Sequence, residues 1–472
     1  AGFFGRLNYN YKEKYLLEVN GRYDGTSRFM KDQRWNFFPS FSLGWNVARE
    51  NFWKPLESVV NQFKLRGSWG ELGNQNTSNL YPFYEILPVK SNSGNWLVNG
   101  GKTNTADIPS LVSTLLTWER VRSFNVGFDF GAFSNRLTGS FDYFVRKTVD
   151  MVGPAPQLPL VLGIAPAIVN NADMKSYGFE IELSWRDRIG EVDYGVKFNL
   201  ADAQQKVVKY PNTTNAFSDW YAGKMSGEIW GYTSLGIAKT DEEMKEHLAS
   251  LPNGGQNQLG NKWGAGDIMY ADINGDGKVD GGKGTLADPG DQRIIGNSTP
   301  RYNFGLVLDT SYKGFDVSIF FQGVGKRDYA PIVGTNGAVF WGAVNNIWQS
   351  MAMEEHFDYF RPEGHPMGAN LNGYYPRPDF TSNKNHQVQT RYLQDASYIR
   401  LKNLQIGYTL PKQWINKLHI NRCRVYVSGD NLWTGTSLAS MFDPETLAAG
   451  ARGSGTTYPS SKVLSFGLNV NF

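Results

Sequence analysis

Cysteine is all but missing: Cys423 is the only one in 472 residues. A disulfide framework within the chain and a multi-cysteine zinc site are thereby excluded. Charge of one sign is missing too. With 47 Lys and Arg against 44 Asp and Glu the net charge is +3, so there is no electrostatic reason to expect nucleic acid as a partner. No run of about 18 apolar residues exists, which excludes transmembrane helices. A membrane is not excluded. A transmembrane barrel places apolar residues at alternate positions only, so its mean hydropathy resembles that of a soluble protein, and a mean hydropathy of −0.42 with 14% aromatic residues fits that composition. No leader peptide is visible either: Ala1-Gly2-Phe3-Phe4-Gly5 runs straight into a strand pattern, so either the chain is not exported or its front has been removed.

What is present is alternation. In the last segment Leu464, Phe466, Leu468, Val470 and Phe472 alternate with Ser465, Gly467, Asn469 and Asn471. One face is apolar and the other small or polar. The same period recurs at Tyr302–Leu308, Phe315–Phe321 and Tyr177–Trp185, and near Leu7, Leu17, Phe41, Phe63, Phe124, Leu137, Tyr194, Ile229, Leu404 and Val425. That makes roughly 13 or 14 strands, each long enough to cross the apolar core at a tilt. A soluble sandwich also alternates, but its strands are short and its turns uniform. Here short turns such as 131–136 and 312–314 trade places with excursions of about 50 residues between Thr240 and Asp291 and about 67 between Val324 and Tyr392. The pattern predicts an all-β, antiparallel transmembrane barrel with long loops on one rim. Gly, Asn and aromatic residues are spread evenly, so residues 1–472 read as one domain or part of one. Two short helices are expected inside the loops: one after the capping box Thr240-Asp241-Glu242-Glu243, the other over 344–353.

The sharpest local constellation is Asp272-Ile-Asn274-Gly-Asp276-Gly-Lys278-Val-Asp280. Oxygen side chains at relative positions one, three, five and nine, with the Lys278 carbonyl at seven, suit a hard cation such as calcium. Position twelve is Lys283 where a bidentate carboxylate is required, so Asp267, Asp288 or Asp291 would have to fold back. The alternative is a solvated turn. Gly277–Gly284 fails as a phosphate loop because Gly284 stands where Ser or Thr is needed. Glu180 and Glu182 share a strand face without a recognisable sugar subsite, and the five histidines show no metal spacing. The chain does not read as an enzyme. Loop aromatics Trp220, Tyr221, Trp263, Tyr329, Trp341, Tyr374 and Tyr375, with Trp230, Tyr270 and Phe340 beside them, are candidates for stacking on sugar rings or peptide side chains. Packing or the membrane's aromatic girdle would explain them equally well.

Several segments in order carry a resemblance. Phe4-Gly-Arg-Leu-Asn-Tyr9, Tyr23-Asp-Gly-Thr-Ser-Arg-Phe29, Phe38-Pro-Ser-Phe-Ser-Leu-Gly-Trp45, the acidic loop with Ile295-Gly-Asn-Ser-Thr-Pro-Arg-Tyr-Asn-Phe-Gly305, Asp395–Leu404, Gly407–Pro411, Asn431-Leu-Trp433, Asp443-Pro-Glu445 and Tyr458–Phe472 resemble the SusC/RagA family of TonB-linked outer-membrane transporters. The resemblance implies a plugged barrel of about 22 strands in the bacterial outer membrane, of which this chain supplies the later ones. The plug, the TonB box and the first strands would lie outside it. It further implies a SusD-type lipoprotein lid, TonB as energy source, import of oligosaccharides or peptides, and Phe472 as barrel-assembly signal. A non-transporting adhesin or passive porin is the alternative.

Overall fold

The computed structural model describes the chain except residues 78–79, 156–158, 160, 162, 165, 331–353, 379–383, 417–418 and 448–457. The second expected loop helix lies outside the described residues. Thirteen long strands make one sheet in chain order: β1 (Gly2–Tyr11), β2 (Tyr15–Gly25), β3 (Trp35–Asn46), β4 (Val60–Asn74), β5 (Glu119–Ala132), β6 (Leu137–Gly153), β7 (Val169–Ile189), β8 (Val192–Lys209), β9 (Arg301–Tyr312), β10 (Phe315–Lys326), β11 (Tyr398–Thr409), β12 (Arg422–Thr436) and β13 (Val463–Asn471). Every neighbouring pair whose register is described is antiparallel. No helix among the described residues is long and apolar enough to cross a membrane. The expected strand at Ile229 is corrected: Glu228–Gly231 is a four-residue ribbon paired with Arg293–Asn297 inside a loop. Alternation over so few residues cannot say which partner a strand will find.

The chain divides into two compact units, Ala1–Phe179 with Gln205–Thr213 and Trp220–Lys224, and Glu180–Gln204 with Thr214–Asp219 and Met225–Phe472. In the first, register converts alternation into whole rows. Leu7 faces Val19, Val19 faces Phe41, Phe41 faces Trp69, Trp69 faces Phe124 and Phe124 faces Val145. Because neighbouring strands keep the pleat in phase, this row lies on one face and the polar row Asn8, Glu18, Ser42, Ser68 and Asn125 on the other. Left-handed Lys12 and Glu13 close the β1–β2 turn, and Phe133 to Asn135 close β5–β6.

The second unit repeats the pattern with Phe315, Tyr408, Val425 and Leu468 in one row and Val317, Ile406, Val427 and Phe466 in the next. Ile406, Val425, Val427, Phe466 and Leu468 are exposed, as a face meeting lipid must be. The unit's core is not in the sheet. It lies among the long connections: Tyr232, Ile268, Tyr270 and Val279 from the segment after β8, Phe360, Tyr375 and Tyr392 from that after β10, and Leu438, Phe442 and Leu447 from that after β12 bury one another in a single cluster.

Candidate substrate path: polar strand faces and the loop core

The polar faces are held by charge pairs that jump a strand. In the first unit Arg66 lies opposite Gly127, and Gly127 opposite Asp142. The Arg66 guanidinium reaches across the bare glycine and donates to both Asp142 oxygens at 2.5 and 2.6 Å and to Asp129 at 3.0 Å. The second unit uses the same device: Arg424 Nε donates to Asp316 Oδ1 at 2.9 Å over Gly407, where a Cβ would collide with the guanidinium. Bidentate pairing of this kind is among the stronger polar contacts a protein makes. The first-unit pair borders a cavity of about 510 Å³ whose lining mixes Asn8, Glu18, Lys64 and Asn125 with Leu16 and Leu43.

The loop core accounts for most of the aromatic candidates. Tyr375 and Tyr392 stack at 6.2 Å, Tyr374 meets both edge-on, and the Arg391 guanidinium lies 5.8 Å from the Tyr374 ring. Tyr329 packs edge-on against Phe442 at 5.2 Å, and Trp263 lies against Tyr270 with the Lys384 ammonium 5.2 Å from its ring. Tyr329 and Tyr375 are buried and Trp263 and Tyr374 half-buried, so their rings build the loop scaffold. Trp220 and Tyr221 belong to the first unit. Tyr221 is buried, whereas Trp220 is 43% exposed beside Tyr210, with ring centroids 5.9 Å apart. Of the six described candidates Trp220 is the most exposed, and Trp341 lies outside the described residues.

A buried polar network ties the loops together. Asp267 accepts from Lys384 Nζ at 2.7 Å, Asn385 Nδ2 at 3.0 Å and Gly264 N at 2.9 Å. Gln256 bridges Ile268 O, Tyr270 N and His247 Nε2. His247 rides on the helix Asp241–Ala249, which starts as its capping box predicts, with Thr240 Oγ1 accepting from Glu243 N at 3.1 Å. Burial pushes the His247 imidazole below its ordinary value, against a weaker pull from Gln256.

The acidic loop folds as a chain of self-satisfied turns. Asp272 accepts from Gly275 N and Gly277 N, Asn274 from Asp276 N, Asp276 from Lys278 N, and Asp280 from Gly282 N. Of the three carboxylates expected to fold back, Asp291 does. It is fully buried and accepts from Ile273 N at 2.7 Å, Asn274 N at 3.3 Å and Asp280 N at 2.8 Å. Burial pushes its carboxyl up, and these amides pull it down. The cation of the loop is its own: Lys278 Nζ sits 2.5 Å from Asp280 and 3.8 Å from Asp276, holding Asp280 below the usual carboxylate range. Asp272, Asn274, Asp276, Lys278 and Asp280, the expected calcium set, all lie in this run of turns; among the described residues no group of three or more His, Cys, Asp or Glu is placed to hold a metal ion. Phe472 follows β13 and is exposed.

Sequence reasoning missed the charge ladders and the Asp267–Lys384 network. Their signal was weak: an arginine or aspartate on the polar face of a strand, with a glycine at the facing position of its neighbour.

Comparison with known proteins agrees with this architecture. The family model described as TonB dependent receptor-like, beta-barrel, matches residues 1–432. TonB-dependent receptor P3 of Formosa agariphila is 29% identical over 99% of this chain and 45% of its own length. TonB-dependent receptor SusC of Bacteroides thetaiotaomicron is 24% identical over 100% of this chain and 44% of its own. The solved RagAB peptide transporter superposes with a TM-score of 0.75 at 22% identity, over 100% of this chain and 47% of that one. The chain thus spans a little under half the length of these relatives. Sheet order, charge ladders on the polar strand faces, apolar rows on the opposite faces and the family match lead to one conclusion: the chain belongs to the TonB-dependent receptor-like β-barrel family of the bacterial outer membrane.

Proposed function

We propose that this chain is part of the barrel wall of a TonB-dependent importer that works with a SusD-type surface lipoprotein and carries oligosaccharides or peptides across the outer membrane. The observation that carries the reading is the core formed by three long loops of the second unit, which fixes a rigid surface where a passive pore needs an open mouth. The relatives' names, receptor and peptide transporter, support it. On this reading the remaining strands and the plug are supplied from outside residues 1–472. β1 and β13 stand at the ends of the strand order, and an open edge in lipid leaves unpaired amides and carbonyls at several kcal/mol each, as an order of magnitude. The outer membrane holds no ATP, so force must come through TonB. The test is uptake by cells carrying the whole gene, with and without its TonB box, offered labelled oligosaccharides or peptides, together with co-purification of a surface lipoprotein. TonB-independent uptake, or a large steady conductance in planar bilayers, would instead identify a passive porin.

A further inference from the structure

The segment Leu438–Leu447, between β12 and β13, does not stand away from the sheet. Leu438, Phe442 and Leu447 are buried in the loop core, while Asp443 and Glu445 are held by β11. Arg400 donates to Asp443 Oδ1 and Glu445 Oε2, both at 2.5 Å, and to Thr434 Oγ1 at 2.9 Å. Lys402 Nζ donates to both Glu445 oxygens at 2.6 and 2.9 Å. Arg327 reaches the Pro444 carbonyl from the other side at 3.3 Å. The face that receives the strap is the polar one, opposite exposed Ile399 and Ile406.

The strand is deformed where the strap docks. Lys402 is an extra residue against β10, which pairs Phe320 with Asn403 and Phe321 with Leu401, whereas on the other side β12 carries the extra residue, Asn431 and Leu432 together facing Lys402 between the pairs Asp430–Asn403 and Trp433–Leu401. Opposite it, Asn431 has a left-handed φ of 53°. Such bulges re-aim side chains, and against β10 the bulged residue is Lys402.

The four charges are unequally accessible. The Arg400 and Asp443 side chains are each 5% exposed, whereas Lys402 is 29% and Glu445 24% exposed. An anionic group travelling along the polar face therefore meets the Lys402–Glu445 half first. Exchanging one carboxylate for another on an ammonium breaks and forms equivalent charge-assisted hydrogen bonds, and Glu445, released from Lys402 and left with its Arg400 bond alone, can be solvated at its other oxygen because it is already partly in water. The same exchange on buried Arg400 would strand a carboxylate without water.

We infer that Lys402 and Glu445 form an exchangeable latch on the Leu438–Leu447 strap, released when a carboxylate of the cargo takes Glu445's place on Lys402. The inference rests on the proposed transport function and deepens it: an acidic cargo opens the strap, and a neutral one does not.

The test uses the protein as its whole gene encodes it, purified in detergent, with hydrogen exchange of the strap amides as readout. The probes are trigalacturonate, which carries three carboxylates, and maltotriose, which carries none, at matched ionic strength. Trigalacturonate should speed exchange across Leu438–Leu447 about tenfold, and maltotriose should leave it unchanged. Glu445→Gln and Lys402→Met should each raise the resting rate about tenfold and abolish the response, while Lys402→Arg should keep it. Folding of each variant is checked by migration of the unheated protein on denaturing gels, and the wild-type titration stands without them. A strap that ignores trigalacturonate, or that answers maltotriose or sodium chloride equally, overturns the latch. Intact TonB-dependent uptake beside a silent strap would refute the latch alone; loss of uptake by the wild type would refute the transport reading.

Discussion

Arg66 and Asp142 sit on strands that are not neighbours, yet two hydrogen bonds of 2.5 and 2.6 Å join them across Gly127. A Cβ on Gly127 would come within 2.6 Å of Asp142 Oδ1 and 2.4 Å of the Phe141 carbonyl oxygen. Gly127→Ala should therefore destabilise the barrel by about 1–3 kcal/mol, much as Asp142→Ala does, because both break the same pair. Urea midpoints followed by tryptophan fluorescence measure this. Fully additive costs in the double variant would show that the two sites do not share the interaction.

The final strand should present its two faces to different media. In a Cys423→Ser background, cysteines at Leu464, Phe466 and Leu468 are expected to resist a water-soluble maleimide in membranes, and cysteines at Ser465 and Asn469 to react. Equal reactivity of the two sets would sink the assignment.

Asp291 is the hub of the acidic loop. Asp291→Ala leaves the amides of Ile273, Asn274 and Asp280 without their acceptor, a cost of about 2–4 kcal/mol in local stability. Hydrogen exchange over residues 272–292 should quicken about a hundredfold. Millimolar calcium is expected to leave the wild-type loop unchanged, because Lys278 already neutralises Asp280. Lys278→Ala is the variant in which calcium should restore protection, and a calcium effect in the wild type would contradict the lysine's role.

Acid should loosen the helix Asp241–Ala249. His247 is held below its ordinary value, so its contribution is complete above about pH 6.5 and is lost as pH falls below that, where the unfolded imidazole takes up a proton and the folded one resists. Exchange of the helix amides, corrected for intrinsic rate, should rise between pH 7 and pH 5. His247→Gln should flatten that dependence; an unchanged pH profile in the variant would assign the effect to another group.

Strands were legible because their information is local: a period of two needs only the residues themselves, and it located all thirteen long strands. Ile229 misled because a four-residue apolar run reads alike in a barrel wall and in a loop ribbon. The capping box at Thr240 was legible for the same local reason as the strands. The loop core was not, since Tyr270, Tyr375 and Phe442 are brought together from three connections that share no pattern. The acidic loop lay in between: its turns follow from its own sequence, but that Asp291 folds back onto it while Asp267 pairs with the distant Lys384 could not be read from spacing.

The loop core also constrains the order of assembly. Tyr232 and Leu447 belong to one cluster although 215 positions separate their numbers, so the core has high contact order and its last apolar pieces reach it only after β12 has been threaded. Until then Tyr329 and Tyr375 lack part of their cover, and the half-built cluster is sticky towards chaperones and neighbouring chains. A truncated chain ending after β11 should thus keep paired strands while its loop core remains open to proteases, which makes surface proteolysis a direct readout of completed insertion.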